Sequence, residues 1–192
     1  MIDPEIYKPQ GNHGDRFLTI GRMAPEKGNL NAVMLCRDMG VPLDVVGGRG
    51  AEKTVDTPLD DYEKSIHNLC DGEQIRFLGE VTDEEKVSLM QSCRGLIYCT
   101  DHPEVTNHKV FEALLCGAPI ITTVVGSASE WFIEGIEGFH CQTDKDYVNA
   151  IKNVDKLQPL SMRDIEVDRF SPQSVIVRYV KLYEEVANGL RW

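Results

Sequence analysis

Residues 95–125 read Gly95-Leu-Ile-Tyr-Cys-Thr-Asp-His-Pro-Glu104-Val-Thr-Asn-His-Lys-Val-Phe-Glu112-Ala-Leu-Leu-Cys-Gly117-Ala-Pro-Ile120-Ile-Thr-Thr-Val-Val125. An apolar run of strand length, residues 95–100, gives way to a polar loop and then to an amphipathic stretch from Asn107 to Cys116. Gly117-Ala-Pro119 stops that helix, and residues 120–125 form a second apolar run. Strands that are apolar throughout, not on alternate residues, are covered on both faces. Two such strands joined by a helix make a parallel unit, so the fold class decided here is α/β.

The same alternation extends in both directions. Residues 16–22 read as a first strand, and Glu26 to Met39 as a helix with Leu30, Val33, Met34 and Arg37 at helical spacing. Residues 42–47 are a second strand, Asp60 to Cys70 a helix, and residues 74–79 a third strand. Thr82-Asp-Glu-Glu85 has the form of a capping box and opens the next helix. Beyond residue 125, a short helix (Ser127 to Ile133), a last strand (Gly138 to Cys141) and the helix Asp144 to Val154 complete a doubly wound, Rossmann-like three-layer sandwich on a parallel sheet. We divide the chain into a linker-like start (1–15), an α/β core (16–157) and C-terminal helices (158–192). Those helices are a short one from Ser161 to Phe170 and a long one capped by Ser171-Pro172 that runs to Asn188. The long helix carries Val175, Ile176, Tyr179, Val180, Leu182, Tyr183 and Val186 on a face wide enough to require a cover or to drive self-association.

The chain has 192 residues, of which 42% are hydrophobic and 27% charged. These are globular values, and they exclude a disordered tail, a collagen-like fibre and a disulfide-dense miniprotein. No apolar run approaches the ~20 residues of a membrane span, and the first residues do not read as a signal peptide. Twenty basic against 31 acidic residues leave a net charge of −11. Such a chain repels nucleic acid, so an anionic ligand must be held by a few local cations and backbone dipoles. Six cysteines without a C-x-x-C pair read as free buried thiols and place the protein in the cytoplasm.

Ligands of an open parallel sheet sit outside the carboxyl ends of its strands. The segments leaving those ends here are Gly21 to Gly28, Asp101 to Lys109 and Gly126 to Glu130, polar loops that each open a helix. Helix N-termini offer free N–H groups and partial positive charge, which suit phosphate, and Arg22 and Lys27 flank one of them. Alone they could be surface charges; with the other loops they favour a phosphate-bearing ligand. Val45 to Thr54 imitates a P-loop, but Glu52 stands where that motif has glycine, and the dinucleotide fingerprint lacks its third glycine. Glu104 and Glu112 would stand ~12 Å apart on a helical span, too far for a glycosidase pair at about 5–9.5 Å. They are either two solvated carboxylates or two acceptors for hydroxyls of one extended ligand.

These residues resemble a known family. The chain looks like the C-terminal, donor-binding half of a retaining family-four glycosyltransferase of GT-B architecture. Ile2 to Pro9 resembles the linker that opens that half, and Gly21-Arg22…Lys27-Gly28 its G-R-x-x-x-x-K-G signature. Glu104 to Glu112 with Ala113 and Cys116-Gly-Ala-Pro119 resembles its E-x7-E element. Gly126 to Glu130 with Gly135 to Gly138, and Phe170 to Glu184, resemble its later segments. The resemblance implies a nucleotide-sugar donor, with Gly21, Arg22 and Lys27 at its diphosphate and backbone amides of Thr106, Asn107, His108 and Lys109 beside them. It gives Glu104 the donor sugar, Glu112 the ribose, and the loop at Gly79 and Val81 the base. Catalysis would fall to Glu104, through its hold on the donor sugar, and to Arg22 and Lys27, which stabilise the leaving diphosphate, with no metal or other cofactor required.

Two departures stand out. The family's Glu-Gly-Phe-Gly is Glu104-Val-Thr-Asn107 here, with Asn107 expected to keep a positive-φ turn. The N-terminal, acceptor-binding half is not in the sequence, so this chain alone is expected to be inactive, its missing half supplied by a further domain or a partner chain. Two other readings remain open: a non-catalytic interaction module that kept the fold, and another GT-B enzyme such as a nucleotide-sugar epimerase.

Overall fold

The computed structural model describes residues 2–11, 13–49, 58–158 and 163–191. The P-loop-like stretch from Gly50 to Thr54, the expected helix start at Ser161, and Trp192 lie outside them. Six parallel strands form one sheet: β1 (Phe17–Ile20), β2 (Leu43–Val46), β3 (Ile75–Gly79), β4 (Gly95–Tyr98), β5 (Ile120–Thr123) and β6 (Gly138–Cys141). Their order is β3-β2-β1-β4-β5-β6, so the chain reverses its direction of growth between β1 and β4. Among the described residues seven helices accompany them: α1 (Asn29–Met39), α2 (Asp61–Leu69), α3 (Asp83–Ser92), α4 (His108–Leu115), α5 (Asp144–Asn153), α6 (Arg163–Phe170) and α7 (Pro172–Ala187).

The pleat sends neighbouring residues to opposite layers. Phe17, Val45, Ile97 and Ile121 pack with Ala32 and Val33 of α1, Ile66 of α2 and Ile151 of α5. Leu18, Leu96, Tyr98 and Ile120 pack on the other side with Met90 of α3 and Val110 and Leu114 of α4. This is the three-layer sandwich: β1, β2 and β4 are buried at every residue, while the edge strands β3 and β6 are partly exposed.

The helices differ in detail from the sequence expectation. The stretch from Glu26 to Met39 is not one helix: a 3-10 turn, Pro25–Lys27, ends at Gly28, which is also the N-cap of α1. The buried stripe of α1 is Asn29, Ala32, Val33 and Cys36, while Met34 and Arg37 face solvent. The segment Ser127 to Ile133 contains only a 3-10 turn, Ala128–Glu130, and β5 ends at Thr123, two residues early. The Thr82 capping box is formed, and Asp60–Glu63 and Thr143–Asp146 form two more. Ser171 caps α7 by accepting from the Ser174 N–H, with Pro172 at the first position.

Asp44 is a carboxylate inside β2, buried and met by Arg16 Nε at 2.8 Å and by the Arg76 fork at 2.6–2.7 Å. An unpaired charge there would destabilise the sheet strongly. A second buried cluster ties α6 to the core. Glu137 and Glu166 are both buried; Arg169 donates to Glu166 at 2.7 Å and stands 3.8 Å from Glu137. One oxygen of each glutamate has no hydrogen-bond partner, which a proton shared between them satisfies. Burial, and then Glu137, push the Glu166 carboxyl from an ordinary 4.5 up to about 8, against the pull of Arg169.

The fold therefore keeps a proton that the unfolded chain gives up near pH 4.5. The stabilisation is complete below that value and is lost as pH rises toward about 8. Thermal melts should show a higher melting temperature at pH 6 than at pH 9. Glu166→Gln, neutral at both, should remove most of that difference; an unchanged slope in the variant would refute the assignment.

The α7 helix has no buried residue, and Ile176, Val177, Tyr179, Val180 and Tyr183 are exposed. Among the described residues no helix is long and apolar enough to cross a membrane.

Candidate functional site

The loops after β1 and β4 leave the sheet at its switch point, where such sheets have a crevice. They are locked together there. Thr100 Oγ1 donates to the Glu26 carbonyl at 2.7 Å. Gly28 has φ +68°, and a Cβ on it would stand 1.9 Å from the Cys99 carbonyl oxygen. The loop after β2 joins the same edge, since Gly21 N–H donates to the Val46 carbonyl at 3.0 Å and Met23 N–H to the Gly48 carbonyl at 2.9 Å. Gly79 accepts from the Gly47 N–H at 2.8 Å, so the end of β3 is part of the same rim, and Val81 packs into the core beyond it.

On this scaffold Lys27 reaches across the switch point and ion-pairs Glu104. Tyr98 donates its hydroxyl to Glu104 Oε1 at 2.8 Å, and Asn107 Nδ2 donates to Oε2 at 3.0 Å. The carboxylate thus has a partner on each oxygen and is only 12% exposed. Its main chain is clamped as well: the Glu104 carbonyl accepts from the Ser127 N–H at 3.2 Å and from the Ser127 hydroxyl at 2.9 Å. Arg22 stands at the mouth, more than half exposed and paired with Glu26; Asn29 Nδ2 holds its carbonyl at 2.8 Å.

Asn107 does not take the expected positive φ. It sits at φ −134°, ψ 97° as the N-cap of α4, because its amide is turned inward to serve Glu104. Its Oδ1 is buried with no hydrogen-bond partner. Among the described residues, the N–H groups of Thr106, Asn107, His108 and Lys109 make no protein hydrogen bond; the last three are those that the start of α4 leaves free. The Lys109 ammonium lies 5.5 Å from the centroid of the Tyr98 ring. Burial first, and then Lys27, push its pKa down. Cations and free amides therefore converge on one crevice of a chain whose overall charge is strongly negative, an arrangement suited to an oxyanion-bearing ligand.

Glu112 is set apart, further along α4. Lys86 of α3 stands 3.3 Å from its Oε2. That oxygen is buried and makes no hydrogen bond. Glu112 and Lys86 line a groove of about 880 Å³ together with Ile6, Tyr7 and Gln10 of the opening segment. The two glutamates therefore have separate partners, Lys86 for Glu112 and Lys27, Tyr98 and Asn107 for Glu104.

Tyr98, Asn29, Ser127 and Lys86 were not singled out in the sequence as site residues. Tyr98 had a signal, since a polar tip on the last residue of a strand points at the ligand edge. The others act through contacts from distant segments, which no spacing encodes.

The chain resembles solved glycosyltransferases along its whole length. AviGT4, a glycosyltransferase involved in avilamycin A biosynthesis, superposes with a TM-score of 0.76 at 24% identity, over 100% of this chain and 58% of its own. HepE of Anabaena, in complex with UDP and glucose, gives 0.72 at 20% identity, over 98% and 55%. Sucrose-phosphate synthase of Thermosynechococcus elongatus gives 0.74 at 17% identity, over 98% and 52%. In sequence, sucrose synthase 5 of rice, Oryza sativa subsp. japonica, is 28% identical over 130 residues, 64% of this chain and 15% of that protein. The chain thus spans little more than half of the solved structures and a small part of the rice enzyme. The profile of the glycosyl transferases group 1 matches residues 7–166. With that match over most of its length, on a Rossmann-like sheet of the GT-B type, the chain belongs to the glycosyl transferases group 1.

Proposed function

We propose that this chain is the donor-binding half of a retaining glycosyltransferase that takes a nucleoside diphosphate sugar. The observation that carries the reading is the meeting of Lys27 with Glu104 across the switch point, beside four unpartnered amides at the start of α4. In this reading Arg22 and Lys27 bind the diphosphate, with Gly21 letting the main chain approach it. The amides of Thr106, Asn107, His108 and Lys109 complete the anion site. Glu104, once Lys27 has turned to phosphate, accepts from hydroxyls of the donor sugar; Glu112 accepts from the ribose; the rim at Gly79 and Val81 faces the base. As the sugar–phosphate bond breaks, the negative charge grows on the diphosphate oxygens that Arg22, Lys27 and the helix terminus already face. All the charge work falls to the chain's own groups, and the reading calls on no metal or other cofactor.

The acceptor and the opposite wall of the cleft belong to an N-terminal half, in the same polypeptide or a partner chain, and this half alone is inactive in transfer. The uncovered face of α7 suits either that contact or self-association. The unpaired thiols suit a reducing compartment, and we place the reaction in the cytoplasm.

Calorimetric titration with UDP, GDP and ADP tests the reading: one of them should bind saturably, with the others at least ~10-fold weaker. One feature favours a second reading, an interaction module that has lost donor binding: Lys27, Tyr98 and Asn107 already saturate Glu104. Absence of saturable binding to all three ligands would mean either that the other half completes the site or that the loop at Asn107 has abolished it, and binding regained on restoring residues 105–107 to Gly-Phe-Gly would select the second.

A further inference from the structure

Tyr7 of the opening segment meets Lys86 of α3, which in turn pairs with Glu112 of α4. Tyr7 is buried at 8% exposure and lies in the same core as α3 and α4. The ammonium of Lys86 stands 5.5 Å from the centroid of its ring and 3.3–3.4 Å from both oxygens of Glu112. Asp83, 3.3 Å away, is almost fully exposed and so a weak competitor. Burial is the largest single influence on Lys86 and works to lower its pKa, yet Tyr7 and Glu112 together hold it above the ordinary lysine value. The ammonium is therefore kept charged where it stands. Glu112 Oε2 has this cation beside it but no hydrogen bond, although it is buried. Tyr7 and Lys86 are the partners of that carboxylate inside the protein, and the unfilled Oε2 leaves room for a further donor.

We propose that Lys86, seated on the ring of Tyr7, is a positioning residue that holds the Glu112 carboxylate in place for the ribose hydroxyls of the donor. The inference rests on the reading of Glu112 as the ribose acceptor, and it gives the opening segment a part in nucleoside recognition. Lys86 need not touch the ligand. Without Lys86 the Glu112 carboxylate, at 13% exposure, loses the charged partner that fixes its orientation, and a misplaced acceptor no longer meets the ribose hydroxyls. Tyr7 fixes the ammonium in turn, so a shift of the opening segment reaches Glu112 through two contacts.

The discriminating measurement compares ribose with 2′-deoxyribose. The nucleoside diphosphate that binds the wild-type chain is titrated beside its 2′-deoxy analogue. Wild type should prefer the ribonucleotide by about 10-fold or more, the value of a hydrogen bond to a charged acceptor. Lys86→Met should lose that preference, weakening the ribonucleotide and leaving the deoxynucleotide nearly unchanged. Lys86→Arg should keep it. Tyr7→Leu, which removes the seat without touching charge, should reduce it by several fold and covers the case in which Lys86→Met does not fold. A merely structural role would weaken both ligands equally. A preserved ribose preference in both Lys86→Met and Tyr7→Leu overturns the proposal while leaving Glu112 in place. No preference in wild type overturns the Glu112 reading and the proposal with it.

Discussion

Replacing Arg22 and Lys27 together by alanine should abolish measurable nucleoside diphosphate binding, a loss of about 100- to 10,000-fold. Each charged hydrogen bond to phosphate contributes about 1.5–3 kcal/mol, and two of them convert to that range. The losses should be unequal. Lys27 keeps 22% of its side chain exposed against 55% for Arg22, so its charge is less screened and its removal should cost more. Lys27→Ala also strips Glu104 of its counter-ion, which alone could repel a diphosphate. Adding Glu104→Gln to Lys27→Ala separates the two effects. If Lys27 binds phosphate directly, the second change restores little. Binding recovered to near wild type would mean that Lys27 serves only to neutralise Glu104, and the assignment of the anion site would fall.

Gly28→Ala should remove most of the stability of the fold, whereas Gly40→Ala should cost only ~1–2 kcal/mol. Both glycines have φ +68°, so both pay the same penalty for a side chain in the left-handed region. They differ in surroundings. Nothing lies within 4 Å of a Cβ on Gly40, but on Gly28 it would stand 1.9 Å from the Cys99 carbonyl oxygen and 2.3 Å from its carbon. Main chain at the end of a central strand cannot move aside cheaply. A loss above ~4 kcal/mol is expected, a large share of the 5–15 kcal/mol of a typical domain. Chemical denaturation of the two variants under one set of conditions decides it; equal losses would show that the loops after β1 and β4 are not locked as described.

That same contact explains where the sequence was readable and where it was not. The strands of the sheet were legible because burial on both faces demands an apolar residue at almost every position, and β6 appeared with the bounds expected. Capping boxes are local, so Thr82 was legible and Asp60 and Thr143 could have been. The break at Gly28 was not, because the helical periodicity of residues 26–39 runs through it. Gly28 breaks it with a left-handed φ of +68°, and the Cys99 carbonyl, seventy-one residues on, lies too close for any residue but glycine there. Asn107 failed for a similar reason: its conformational tolerance suggested a left-handed turn, but its amide is held by Glu104, a tertiary demand. Arg22, Lys27, Glu104 and Glu112 could be picked out as chemistry-bearing residues, while the side-chain contacts that Tyr98, Asn107 and Lys86 make with the two glutamates became visible only once the chain was folded.

The cysteines carry a practical consequence. All six are free thiols and five are buried; burial holds those of Cys93, Cys99, Cys116 and Cys141 up at about 12. An alkylating reagent attacks thiolate, so it reaches these sulfurs only when a layer of the sandwich opens. Cys36 and Cys141 report on one layer, Cys93 and Cys116 on the other. Their separate labelling rates are a built-in clock for which side of the sheet lets go first.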